Sequence, residues 1–285
     1  MKLAIVSDPQ RGEKDSPLLM EASSFFEKVL FVPIGQIRVD LAENFAVKYG
    51  QINLADYDCV LPIPTLTYKE VFYITMRVLS NSTYLPINAD RYIMATDEAL
   101  LFKHLRQNNI RTREVFVVSS DMSMKELLKK TKFPIIVRMP YKRVIVTNSK
   151  TLQDVLSLAK VGTPVLIEPP MYAERNILSF VVGGGIITSY ERIGEVVKPV
   201  EAGEEIKKLA EKISQAVECD YCALNFFSSK NQWILGKFML SPDFQNIQEI
   251  TSKNVARALL EHLAEKSKKH KERKMGEKIS KLFRR

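Results

Sequence analysis

This 285-residue chain is poor in the residues that staple, ligate or activate. Three cysteines in a chain of this length argue against a disulfide scaffold. The three histidines, His104, His262 and His270, stand at neither H-x-x-x-H nor H-E-x-x-H spacing, which argues against a helix-borne metal site. No G-x-S-x-G and no P-loop occurs. No apolar run reaches eighteen residues, so no membrane span is expected. The opening "MKLAIVSDPQ" has too short an apolar part for a signal peptide and no cleavage-like segment, and a cytoplasmic location is expected.

What is present is an ordinary globular composition, 46% hydrophobic and 26% charged, with an uneven charge. Residues 261–285 hold ten Lys and Arg against four Glu, so this tail carries +6 of the net +9. The body is near neutral, and the basicity belongs to the C-terminus. Leading into the tail, Val255, Leu259 and Leu263 share a helical face expected to pack on the body. Beyond Lys266 the basic residues Lys268, Lys269, Lys271, Arg273 and Lys274 are candidates for contact with RNA, the ribosome, an acidic protein or anionic lipid. A solvated basic tail without a partner is the plain alternative.

The apolar patterning predicts α/β followed by α+β. Short continuous apolar strands at "LAIVS", "VLFVPI", "CVLPIP" and "YLPIN" alternate with helices over "PLLMEASSFFEKV" and "KEVFYITMRVLSN", which implies a parallel sheet covered on both faces. From residue 88 the pattern predicts a helix from near Asp97 to Asn108–Asn109 and another over "SMKELLKKTK" capped by Ser123. Strands then follow at "REVFVVS", "FPIIVRM", "RVIVTN", "PVLIEP", "ILSFVVGG" and "GIITSYERI", with a helix over "TLQDVLSLAK". Gly183–Gly185 reads as a hairpin turn, "EEIKKLAEKISQAV" as an amphipathic helix, and "YCALNFF" with "QWILGKFML" as a hairpin turned at Ser228–Asn231. Cys219-Asp220-Tyr221-Cys222 is a lone C-x-x-C, read either as a redox or zinc half-site or as two small buried side chains.

This element order resembles the ATP-grasp superfamily, most of all its RimK-like and glutathione-synthetase-like ligases. The resemblance rests on "YLPINADRYIMATDEALLFKHLRQNNIRTREVFVV", "KFPIIVRM", "PVLIEPPM", "NILSFVVGGGIITSYERIG" and "CALNFFSSKNQWILGKFMLSP", in that order over about residues 1–250. It implies an ATP-grasp fold with an N-terminal Rossmann-like pre-ATP-grasp domain (1–87), an ATP-grasp domain (88–250) and a C-terminal helix with basic tail (251–285). It also implies an ATP-dependent carboxylate–amine ligase chemistry using Mg²⁺. By the same resemblance Arg138 takes the phosphate-lysine position, and Glu168, Pro170 and Met171 line the adenine hinge.

At its active-site positions the sequence departs from the family pattern. The metal-ligand positions fall on Asn225, Lys237 and Met239, that is a neutral amide, an ammonium and a thioether, where Mg²⁺ requires hard oxygens. "VRMPYKRVIVTNS" has no glycine for a phosphate lid, a second family lysine falls at Glu98, and Pro169 and Pro170 remove hinge N–H groups. A family Asp and Arg align with Asn176 and Leu178, and the loop after "SYERIG" shortens to "EVVKPVEAG". The expectation is a degenerate, non-catalytic ATP-grasp binding, regulatory or scaffolding module without a metal. Residual ATP or ADP binding through Arg138, Lys142 and Arg143 would then need no usual Mg site. An active ligase drawing metal ligands from Asp220, Asp243 or Glu249 is the alternative, and an RNA- or ribosome-associated protein is a third. Lys237 is expected in the cleft, partnered by Glu168 or Asp243.

Overall fold

The computed structural model describes residues 1–42, 45–118, 126–128, 132–139, 142–157, 165–171, 173–229 and 232–282. Its first half runs β1 (Lys2–Ser7), α1 (Gly12–Ala22), β2 (Lys28–Pro33), β3 (Ile37–Asp40), β4 (Ala46–Tyr49), β5 (Ile52–Asn53), β6 (Cys59–Ile63), α2 (Lys69–Leu79), α3 (Ala89–Thr96), α4 (Glu98–Gln107) and β7 (Phe116–Val118). There follow β8 (Ile135–Met139), β9 (Lys142–Val146), α5 (Ser149–Ser157), β10 (Val165–Glu168), β11 (Arg175–Val182), β12 (Gly185–Ile193) and β13 (Val196–Val200). The chain ends with α6 (Glu204–Val217), β14 (Tyr221–Ser229), β15 (Gln232–Met239), α7 (Phe244–Thr251) and α8 (Val255–Leu282).

Strand β1 explains the first sheet. Leu3, Ala4, Ile5 and Val6 are all fully buried, because alternate side chains enter different cores. Ala4 and Val6 join a cluster with Phe72 and Tyr92, while Leu3 and Ile5 join one with Phe244 and Leu259. The sheet is parallel with order β2-β1-β6, as continuous apolar strands require. A small antiparallel sheet, β3-β4-β5, follows β2 and is not expected from the apolar runs.

Two antiparallel sheets make up the rest: four strands in the order β7-β10-β8-β9 and five in the order β13-β12-β11-β14-β15. The four-stranded sheet has its own core of Val118, Ile135, Val137, Val146, Leu152 and Ile167. The larger sheet shares its core with the N-terminal half, so one cluster runs from Ala4 to Leu240.

Several expectations need correction. The first helix is Gly12–Ala22, not "PLLMEASSFFEKV"; Pro17 lies inside it, and the Ser16 hydroxyl donates to the Glu13 carbonyl (2.8 Å) that Pro17 has no N–H to meet. "YLPIN" forms only single bridges, Tyr84 to Cys59 and Ile87 to Cys219, since Pro86 offers no donor. Helix α3 is not among the expected elements, and Asn88 caps it by accepting from the Arg91 N–H (2.8 Å). "EVVKPVEAG" is not merely a shortened loop, because Val196–Val200 extends the large sheet as β13. Of the "SMKELLKKTK" helix, residues 126–128 are described and are helical; its Ser123 cap, the end of "TLQDVLSLAK" and the turn at 230–231 lie outside the described residues.

Other local readings hold. Asp97 caps α4, accepting from the Leu100 N–H at 3.1 Å. Gly183 and Gly184 adopt positive φ (58° and 86°) in the β11–β12 turn, and a Cβ on Gly183 would lie 2.8 Å from the His262 ring. Cys219 and Cys222 are free and buried, and burial pushes the Cys222 thiol well above its ordinary value. Among the described residues no helix is long and apolar enough to cross a membrane.

Candidate functional site

The site lies where the four-stranded sheet faces β14, β15 and α4. Arg138 on β8 pairs across from Leu166, and Glu168 on β10 pairs across from Ile136, so both project from one face of the sheet. Arg113 hangs on the large sheet: its N–H donates to the Leu235 carbonyl (3.2 Å), and the Leu235 N–H donates to the Arg111 carbonyl (3.1 Å). Glu98 is the first residue of α4. These four residues meet. Arg113 and Arg138 both donate to Glu98, Arg113 also donates to Glu168, and Arg138 Nε lies 3.1 Å from Glu168 Oε1. The result is a closed ring of two guanidinium and two carboxylate groups, with Glu168 only 2% exposed.

Next to the ring, β14 and β15 set Asn225 directly opposite Lys237. A bulge between Asn225 and Phe226 makes this register, with Gly236 as the extra residue. Only glycine fits there: a Cβ would come 1.9 Å from the Phe227 ring. A bulge re-aims the side chains around it, and Lys237 accordingly faces the cleft.

Two cavities adjoin the ring. One of about 420 Å³ is lined by Arg113, Arg138, Arg143, Glu168, Pro169, Pro170, Met171, Asn225 and Lys237. The other, about 450 Å³, is lined by Glu98, Arg138, Lys237 and Met239 together with Lys69, Tyr92, Thr96 and Ser241. Arg138 and Lys237 form the wall common to both. Thus Arg138, Glu168, Pro170, Met171, Asn225 and Lys237 line one cavity, and Met239 lines the other. Of the three residues that the resemblance sets at metal-ligand positions, Asn225, Lys237 and Met239, only Asn225 offers a side-chain oxygen, and its Oδ1 is buried without a hydrogen-bond partner among the described residues. Arg143 lines the first cavity and Lys142 does not. Strand pairing resumes at Met139–Lys142, so the sequence leaves two residues where a lid would need many. Across β11 and β14, Leu178 pairs with Asn225 and Asn176 with Phe227.

Other site expectations need correction. Lys237 pairs with neither Glu168 nor Asp243: Glu168 is taken by the two arginines, and Asp243 caps α7 while facing Lys14 at 3.8 Å. The substitute carboxylates do not converge on Asn225. Asp220 meets Tyr84, His262 (3.1 Å) and Lys266 (3.7 Å) beside another cavity, and Glu249 accepts from Gln245 (2.8 Å). Arg113 and the pairing role of Glu98 were missed; nothing in "NIRTREVF" distinguishes Arg113 from a surface arginine before a strand.

The tail is a continuation of helix α8 up to Leu282. Val255, Leu259 and Leu263 are buried as expected. Its basic residues turn inward or along the helix: Lys271 pairs with Asp58 (2.9 Å), Lys274 donates to the Asn81 carbonyl, Lys269 pairs with Glu265, and Arg273 lies 3.7 Å from Glu277. Lys268 is exposed.

The fold is that of ATP-grasp ligases. The chain is similar to the RimK domain ATP-grasp protein from Sphaerobacter thermophilus (14% identity, TM-score 0.75, covering 92% of this chain and 99% of that one). It is also similar to D-alanine–D-alanine ligase from Bacillus anthracis complexed with ATP (16%, 0.74, 96% and 99%). A third likeness is to the macrocyclase MdnC from Microcystis aeruginosa bound with precursor peptide MdnA (13%, 0.71, 93% and 100%). A sequence profile of the RimK-like ATP-grasp domain matches residues 95–263, more than half of the chain, and the chain belongs to that family. A search of curated proteins gives no match.

Proposed function

We propose that this chain is a non-catalytic member of the RimK-like ATP-grasp family, a binding or regulatory module whose cleft holds an anionic ligand without Mg²⁺. ATP or ADP is the ligand the family relationship favours. One observation carries this reading: Lys237 lies opposite Asn225 on the wall of both cavities. An amide oxygen facing an ammonium, with a thioether beyond, does not fit Mg²⁺, which requires several hard oxygens at about 2.0–2.1 Å. The ammonium supplies fixed positive charge there instead. Arg138 and Arg143 add two more cations, while Pro169 and Pro170 offer no N–H to a base. Without a divalent ion to bridge phosphates, no acyl-phosphate step is assigned to this cleft.

The second reading is an active carboxylate–amine ligase. The fold supports it, and MdnC shows that peptides are bound by proteins of this shape. It requires metal ligands from elsewhere, and Asp220, Asp243 and Glu249 each have other partners. Contact with RNA, the ribosome or an acidic protein through the tail would fall first to exposed residues such as Lys268, since Lys271 and Lys274 are engaged with Asp58 and the Asn81 carbonyl.

Isothermal titration with ADP and ATP, in EDTA and then in Mg²⁺, tests the first reading, with ADP release followed across panels of acids and amines. Binding in EDTA with no turnover is expected. Robust Mg²⁺-dependent turnover overturns the non-catalytic reading in favour of the ligase.

A further inference from the structure

The charged ring is crowded at one atom and unsatisfied at others. Glu98 Oε1 accepts from the Nη2 groups of both Arg113 and Arg138. Meanwhile Arg113 Nε, Arg138 Nε and Glu168 Oε1 are buried without a hydrogen-bond partner among the described residues. Arg138 Nε and Glu168 Oε1 are 3.1 Å apart, close enough to attract but not aligned to bond. Buried polar atoms left unpaired are costly, so another arrangement would satisfy these guanidinium groups better. Across the smaller cavity Asn225 Oδ1 is also unpaired, and Lys237 has no ion pair among the described residues.

The two carboxylates of the ring differ in how readily they can leave. The Glu168 side chain is 3% exposed and fixed on β10, whereas that of Glu98 is 22% exposed. Glu98 also occupies the first turn of α4, where the positive end of the helix dipole favours a carboxylate. It can swing off the arginines toward water and remain in a favourable field. That movement leaves Arg113, Arg138, Arg143 and Lys237 around the cavity with Glu168 as their only counter-charge in its lining.

We propose that Glu98 is a built-in competitor that holds the Arg113 and Arg138 forks, so that the cleft admits only ligands with two or more negative charges, a diphosphate being the fitting class. This rests on the anion-binding reading above. A monocarboxylate offers the arginines no more than Glu98 does, and Glu98 is tethered, which gives it a high effective concentration. A diphosphate brings more charge and more acceptor oxygens, in the geometry a guanidinium fork recognises. Its apparent affinity is reduced by the fraction of time Glu98 holds the fork. Glu98 is therefore a specificity-determining residue for this cleft.

The test is isothermal titration of the full chain with inorganic pyrophosphate, acetate and ADP, in EDTA at low salt, for the wild type, Glu98→Gln and Glu98→Asp. Glutamine keeps the shape and removes the charge; aspartate keeps the charge and shortens the reach. Both variants should bind pyrophosphate about tenfold more tightly than wild type, as expected when a competitor holding the site about nine-tenths of the time is removed. Both variants should also gain acetate binding, Glu98→Gln the more because it removes the nearby charge as well. Thermal melts with and without pyrophosphate accompany the titrations, and a variant of lower stability that pyrophosphate raises more than wild type supports the same conclusion. Unchanged or weaker pyrophosphate binding in both variants, with ADP still bound by wild type, overturns the competitor role and leaves the anion-binding reading standing. No binding of ADP or pyrophosphate by any of the three chains overturns both.

Discussion

Two groups of partly buried charges differ in how completely they are paired. Under α8, Asp220 accepts from Tyr84, lies 3.1 Å from His262 and 3.7 Å from Lys266, while Asp58 meets Lys271 at 2.9 Å and accepts from the Lys2 N–H at 2.8 Å. No oxygen of either aspartate is buried without a partner among the described residues. In the cleft, three atoms of the ring and Asn225 Oδ1 are. The α8 contacts seat a helix and, among the described residues, leave one buried atom unpaired, Nε2 of His270 against the Tyr84 ring; the ring borders two cavities and leaves three. Incomplete pairing beside open volume is where a ligand has most to gain.

This contrast can be broken from either side. The largest effect should come from Glu168→Ala, which leaves two guanidinium groups without their buried partner; urea unfolding should show a loss of about 3–5 kcal/mol. Gly236→Ala comes next, because its Cβ would overlap the Phe227 ring. The clash should cost about 1–3 kcal/mol and weaken anion binding by displacing Lys237, read from thermal melts and titration.

On the α8 side, Asp220→Asn removes the charge and replaces one of the two oxygens that Tyr84 and His262 meet with an NH2 donor, and should cost about 1–3 kcal/mol near neutral pH. Burial alone would raise the Asp220 carboxyl, but hydrogen bonds from His262 and Tyr84 and the nearby cations hold it below its ordinary value of 3.8. A depressed folded value gives stability that is present above the unfolded value and lost as pH falls through the folded one. The gap between wild type and Asp220→Asn should therefore close as the buffer is taken below about pH 4. The smallest effect belongs to Lys271→Ala, whose lysine is half exposed: under about 1 kcal/mol, with faster hydrogen exchange confined to the end of α8.

Much of this architecture is legible in residue patterns. The run Leu3–Val6 marks a strand buried on both faces, "EEIKKLAEKISQAV" coincides with α6, and Asp97 marks the start of α4. These features depend on neighbours in sequence, where periodicity and capping act. The site is half legible: the shared register of Asn225 and Lys237 follows from a hairpin, whose pairing is local. Glu98, Arg113 and Glu168 are not, because they lie 15 and 55 residues apart along the chain and nothing local announces that they meet. Helix α3 escaped because it follows an extended linker and spans only eight residues.

The sequence by itself determined most of the longer elements, the fold family, and the residue types at the positions that the family resemblance assigns to metal, since each is a matter of local chemistry or of local pattern. The tertiary structure alone decided that Glu98 closes on Arg113 and Arg138, that Lys237 stands free of Glu168, and that the basic tail lies on the body as a helix. The physical reason is one of competition. Which carboxylate an arginine takes depends on every charge brought within a few ångströms by folding, and Coulomb energy in a partly buried site is strong enough to override what sequence neighbours suggest.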